Sequence, residues 1–117
     1  MFAIELESGN RTIISDANTG IGPNLGEPRD IELDRPNNRA LVVDNNLEAL
    51  VAIDLESGER SVLSDANTGS GINLIDPRSI VLDSGNNRVL VGVGDDSDLE
   101  ALIVIELGSG ERAISSQ

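Results

Sequence analysis

Three features of this sequence predict an all-β fold. The first is an internal repeat. Ser8-Gly9-Asn10-Arg11 leads into Ser15-Asp16-Ala17-Asn18-Thr19-Gly20, and Ser57-Gly58-Glu59-Arg60 leads into Ser64-Asp65-Ala66-Asn67-Thr68-Gly69. A third, decaying copy, Ser109-Gly110-Glu111-Arg112, closes the sequence. Gly9 and Gly58 lie 49 residues apart, and Gly58 and Gly110 lie 52 apart; such a period belongs to solenoids or propellers. The second feature is that segments between turns have strand length and strand alternation, and none carries a capped helical stripe. The third is that two strands of each unit are apolar on both faces, so they need cover on both sides. A β-solenoid has shorter coils, and a sandwich does not repeat its sequence. The prediction is a partial β-propeller of four-stranded antiparallel blades, a half blade followed by two full blades.

Each element follows from local chemistry. Residues 2–6 and 11–15 form the half blade, equivalent to the third and fourth strands of a full one. Arg29-Asp30-Ile31-Glu32-Leu33-Asp34 alternates as a strand. Pro36-Asn37-Asn38 turns the chain, as Gly85-Asn86-Asn87 does one unit later, because Asn tolerates the positive φ of tight turns. Residues 39–43 are the second strand, residues 49–55 the third, and residues 60–64 the fourth, after the turn at Glu56-Ser57-Gly58-Glu59. The predicted divisions are 1–20 (half blade and inter-blade loop), 21–69 (full blade) and 70–117 (full blade), together one domain.

Pro28-Arg29-Asp30-Ile31-Glu32-Leu33-Asp34, followed by Asn37-Asn38-Arg39-Ala40-Leu41-Val42-Val43-Asp44, resembles the NHL-type repeat, in which a proline precedes the innermost strand. Pro77-Arg78-Ser79-Ile80-Val81-Leu82-Asp83 and Asn86-Asn87-Arg88-Val89-Leu90-Val91 repeat it. The pattern is also similar to blades of the senescence-marker-protein/gluconolactonase superfamily. That resemblance implies a six-bladed parent and, for its enzymes, a divalent metal held by acid and amide side chains from several blades. It is a fold-level likeness shared by many functions.

Closed propellers use about 4–8 blades, so two and a half leave an open strand edge and bare apolar faces, which are association surfaces unless covered. The expected partners are further copies in a homo-oligomer or the remainder of a longer propeller, the start in mid-blade pointing to the latter. No stretch approaches the ~18 apolar residues of a membrane span. The net charge of −13 argues against nucleic acid, which demands basic surface. Residues 1–117 begin with no signal peptide; acidic composition and the resemblance lean toward a secreted or periplasmic parent protein.

The inventory of side chains restricts chemistry further. His, Cys, Lys, Tyr and Trp are absent and Phe2 is the one aromatic residue. Within one chain this excludes Ser-His-Asp and Cys-His catalysis, Schiff bases and His-ligated metals. Carboxylate, amide, hydroxyl and guanidinium groups remain, suited to hard cations or general acid/base work.

Three constellations use those groups. Asp16 and Asn18, with their copies Asp65 and Asn67, place oxygen atoms at alternate positions before a glycine, partly echoing a calcium loop. The preferred reading is that they shape the inter-blade loop through Asx-turns. Asp95, Asp96 and Asp98 cluster at the insertion that lengthens the second repeat, where a cation or basic partner could bind; a solvated hairpin tip is the preferred alternative. Arg29 and Arg78 follow the proline opening each innermost strand. They could meet a carboxylate ligand in the central channel, or pair with Asp34, Asp83 or a neighbouring blade's acid, which is the reading we favour. Arg39 and Arg88 flank the Asn-Asn turns and read as surface residues.

The leading functional reading is a non-enzymatic repeat module for protein interaction and structural assembly, with no catalytic residues and no cofactor. A metal-dependent lactonase-type hydrolase completed by oligomerisation is the alternative, and a calcium-binding surface module is a third. The near-identity of the units favours the first, because a catalytic constellation requires blades that differ.

Overall fold

The computed structural model describes residues 1–94 and 100–116. Among the described residues there are ten strands in three antiparallel sheets. β1 (Phe2–Ile4) and β2 (Arg11–Ile13) form a two-stranded sheet. β3 (Pro28–Asp34), β4 (Arg39–Asp44), β5 (Ala49–Asp54) and β6 (Arg60–Ser64) form the first four-stranded sheet, in that order. β7 (Pro77–Asp83), β8 (Arg88–Val93), β9 (Ala101–Glu106) and β10 (Arg112–Ser116) repeat it. No helix beyond two short 3-10 turns occurs among the described residues. The predicted half blade and two full blades are therefore the observed architecture.

The turns form for the anticipated reason. Asn38 (φ 50°) and Asn87 (φ 51°) sit in the left-handed region and close the turns at Arg35–Asn37 and Ser84–Asn86. Pro28 and Pro77 occupy the first position of β3 and β7, where a missing N–H costs least.

Burial distinguishes the three sheets. Ala40, Leu41, Val42 and Val43 of β4 are all buried, as are Ala49 to Ile53 of β5. β4 and β5 have a neighbouring sheet on each side, so both their faces are dry. One apolar cluster joins Leu41, Val43 and Leu50 to Ile80, Val89, Val91 and Ile103 across the junction of the full blades. A smaller cluster of Val42, Val51 and Ile53 meets Met1 and Leu25 at the half blade. Among the strands, β3 and β4 of the first full blade lie against β7 of the second, so the first strands of both blades are neighbours.

Side chains of the inner strands differ between the units, with a visible effect. The carboxylate of Asp30 accepts from the backbone N–H of Ile80 at 3.0 Å, and Glu32 accepts from that of Leu82 at 3.1 Å. The corresponding positions of the second blade are Ser79 and Val81.

Candidate functional site

Among the described residues, the junctions between blades carry the most developed polar chemistry. Arg60 opens β6 and is only 5% exposed. Its Nε donates to the Pro23 carbonyl at 2.6 Å. Nη1 donates to Ser15 Oγ (2.6 Å), Asp16 O (2.8 Å) and Thr19 O (3.1 Å). Nη2 donates to Gly22 O (3.1 Å) and Asn24 Oδ1 (3.3 Å). Ser15 Oγ in turn donates to Gly58 O at 2.6 Å. The backbone N–H of Arg60 reaches Ile21 O at 2.7 Å. The loop that follows the half blade is thus wrapped around one guanidinium.

Arg112 makes the same socket one blade later. Nε donates to Ile72 O (2.6 Å), Nη1 to Ser64 Oγ (2.7 Å) and Thr68 O (3.0 Å), and Nη2 to Gly71 O (3.3 Å). Neither arginine has a carboxylate partner in these contacts. Carbonyl dipoles and a hydroxyl compensate the buried charge, which is why the donors must be matched so completely. Glycine is required at the rim: Gly20 (φ 83°) and Gly69 (φ 80°) lie where a Cβ would strike the carbonyls of Gly58 and Gly110.

Arg11 holds the equivalent place in the half blade. It is exposed, and its guanidinium has no hydrogen bond or ion pair among the described residues.

Asp16 and Asn18 sit in the first socket loop, Asp65 and Asn67 in the second. Asp16 Oδ1 accepts from the Asn18 N–H at 2.8 Å, and Asp65 Oδ1 accepts from the Asn67 N–H at 2.8 Å. These are the Asx-turns of the preferred reading. The Asn18 N–H in particular holds the Asp16 carboxyl below the ordinary range, against an upward push from burial. No group of three or more acidic, His or Cys side chains is arranged to hold a metal ion among the described residues. Asp95, Asp96 and Asp98 lie outside the described residues.

Arg29 and Arg78 meet at the inner end of the junction. Arg29 pairs with Glu27 at 3.0 Å and, across the blades, with Asp76 at 3.3 Å; Arg78 pairs with Asp76 at 3.0 Å. A neighbouring blade's acid is therefore a partner of Arg29, as one of the sequence alternatives had it. Asp34 and Asp83 are not. Arg39 takes Asp34 at 2.7 Å and Arg88 takes Asp83 at 2.9 Å, because each turn folds its arginine back beside the aspartate ending the preceding strand. Arg39 and Arg88 are thus half-buried pairing groups rather than simple surface residues. Burial pushes the Asp34 carboxyl up, but hydrogen bonds from Arg39 and Asn37 outweigh it and leave it below the ordinary value. Asn45 first, then Arg29, lowers Glu27.

The sockets of Arg60 and Arg112 were not singled out from the sequence. The signal was present: Arg11, Arg60 and Arg112 recur at one position, and the loop ahead of Arg60 recurs ahead of Arg112.

The half blade is the open end. Phe2 is 63% and Ile4 57% exposed, whereas their counterparts Val51, Ile53, Ile103 and Ile105 are wholly buried. β1 pairs with β2 on one side only. Beside it, Met1, Leu25, Pro28, Asp30, Ile31 and Val42 line an open recess of about 310 Å³.

No family model matches this chain, and no curated protein does. Among solved structures it is similar to a chain of the nidogen/laminin complex, at 21% identity and a TM-score of 0.73. The match covers 97% of this chain and 38% of the other, so residues 1–117 span well under half of that chain's length. The likeness is one of fold: these sheets are propeller-like blades.

Proposed function

We propose that this chain is a non-enzymatic propeller repeat module of the NHL or senescence-marker-protein/gluconolactonase type, serving protein interaction and structural assembly. The observation that carries the reading is the contrast at the half blade. Phe2 and Ile4 are largely exposed at positions that are completely buried in both full blades. Apolar side chains in that register are covered wherever a blade stands beside them, and bare ones favour association. Proline at the head of β3 and β7, which lie against one another across the blades, supports the repeat type. The solved neighbour comes from a complex of proteins, which is consistent with this role.

Light scattering on a sizing column is the test. Concentration-dependent association is expected, and substitution of Phe2 and Ile4 by Ser should weaken it. A well-folded monomer that persists to millimolar concentration would sink the reading.

A further inference from the structure

Resting on the assembly reading, we propose that the half blade is a receptor for one specific kind of segment: an inter-blade loop followed by two inner strands, of the sequence type of residues 15–49. Three separate features of the open end select it.

The first is Arg11. Its two counterparts are enclosed by the loop that precedes their blade, with every guanidinium nitrogen donating. Arg11 stands at the same position of the fourth strand, exposed and without such a loop. A loop of the Ser-Asp-Ala-Asn-Thr-Gly type supplies the carbonyls and hydroxyl that match it.

The second feature is the edge of β1. In the first full blade, Leu41, Val42 and Val43 of β4 pair with Ala52, Val51 and Leu50 of β5. Phe2 and Ala3 correspond to Val51 and Ala52, so a strand like β4 finds its register there.

The third is the face of β3. Ile80 is 4% exposed because β3 and β4 of the preceding blade lie against β7. Its counterpart Ile31 is 49% exposed, and Leu33 is 44% exposed. The recess lined by Met1, Leu25 and Ile31 lies where strands like β3 and β4 would stand. A segment carrying Asp30 and Glu32 would also bring the two carboxylates that cap N–H groups across the junction of the full blades. A second copy of this chain can cover the bare apolar side chains, but it does not offer this loop and strand pair intact, because its own loops already enclose Arg60 and Arg112. The partner is another segment of this repeat.

The experiment adds a synthetic peptide with the sequence of residues 15–49 to the full chain. Saturable binding with slowed amide exchange at Phe2–Ile4, Ile31 and Leu33 is expected, and Arg11→Lys should weaken it about tenfold or more, since an ammonium cannot span the carbonyl ring. Binding that ignores Arg11→Lys, or protection elsewhere, overturns the proposal. Because the peptide alone could fail to order, a second chain carries residues 15–49 fused ahead of Met1. In that chain Arg11→Ala should lower the melting temperature as much as Arg60→Ala does. An effect no larger than in the unfused protein overturns the proposal equally. Light scattering reports on association independently, so either failure leaves the broader reading standing.

Discussion

Replacing Arg60 by Ala tests whether the sockets hold the blades together. The substitution leaves the carbonyls of Gly22 and Pro23 and the hydroxyl of Ser15 without the arginine donor, while the carbonyls of Asp16 and Thr19 keep each other's backbone N–H. A buried acceptor stripped of its partner costs ~1–3 kcal/mol. Water entering the vacated space reaches some of these groups. With two left dry the loss is about 4 kcal/mol, a large share of the ~5–15 kcal/mol that stabilises a typical domain. At an m-value of about 2 kcal/mol/M the urea midpoint falls by about 2 M. Arg11→Ala is the internal control. It removes the same side chain at the same strand position from solvent, and should change stability by no more than about 0.5 kcal/mol. Urea titrations followed by far-ultraviolet circular dichroism, at protein concentrations below association, measure both. If Arg60→Ala costs less than about 1 kcal/mol, or Arg11→Ala costs as much as Arg60→Ala, the sockets are not the fastening we describe.

Three further outcomes follow from the same geometry. Gly69→Ala places a Cβ against the Gly110 carbonyl at a positive φ, and should destabilise by about 3 kcal/mol in the same titration. The Asp34 carboxyl is depressed in the folded protein, so its contribution is complete above the ordinary carboxylate pKa of about 4 and is lost as pH falls through the lower folded value. Asp34→Asn should therefore lower the melting temperature at pH 7 and cease to matter near pH 2; an equal loss at both would refute the assignment. Millimolar calcium should leave the melting temperature unchanged, since Asp16 and Asp65 already turn an oxygen onto their own loops; a rise would show a ligand bound by the folded state.

The repeat made the blades legible because every strand position is sampled at least twice. Ala49-Leu50-Val51-Ala52-Ile53 reads as two-sided, and two neighbouring sheets bury it on both faces. Asn38 and Asn87 read as positive-φ residues and are. The pairings were less legible. Arg29 and Arg39 are both arginines near acids in the sequence, and only the fold of the turn decides that Arg39 takes Asp34. The sockets were hidden for a related reason. Their acceptors are mostly backbone carbonyls, which every residue possesses and no sequence pattern advertises.

The sockets also impose an order on folding. Arg60 binds Ser15, 45 residues earlier in the chain, and Arg112 binds Ser64, 48 residues earlier. During synthesis each loop emerges long before the guanidinium that will organise it, with three strands still to be made in between. Contacts of such separation are late and entropically costly to close. The apolar contacts of a blade's first three strands precede its socket, so the guanidinium fastening is completed only when the fourth strand exists.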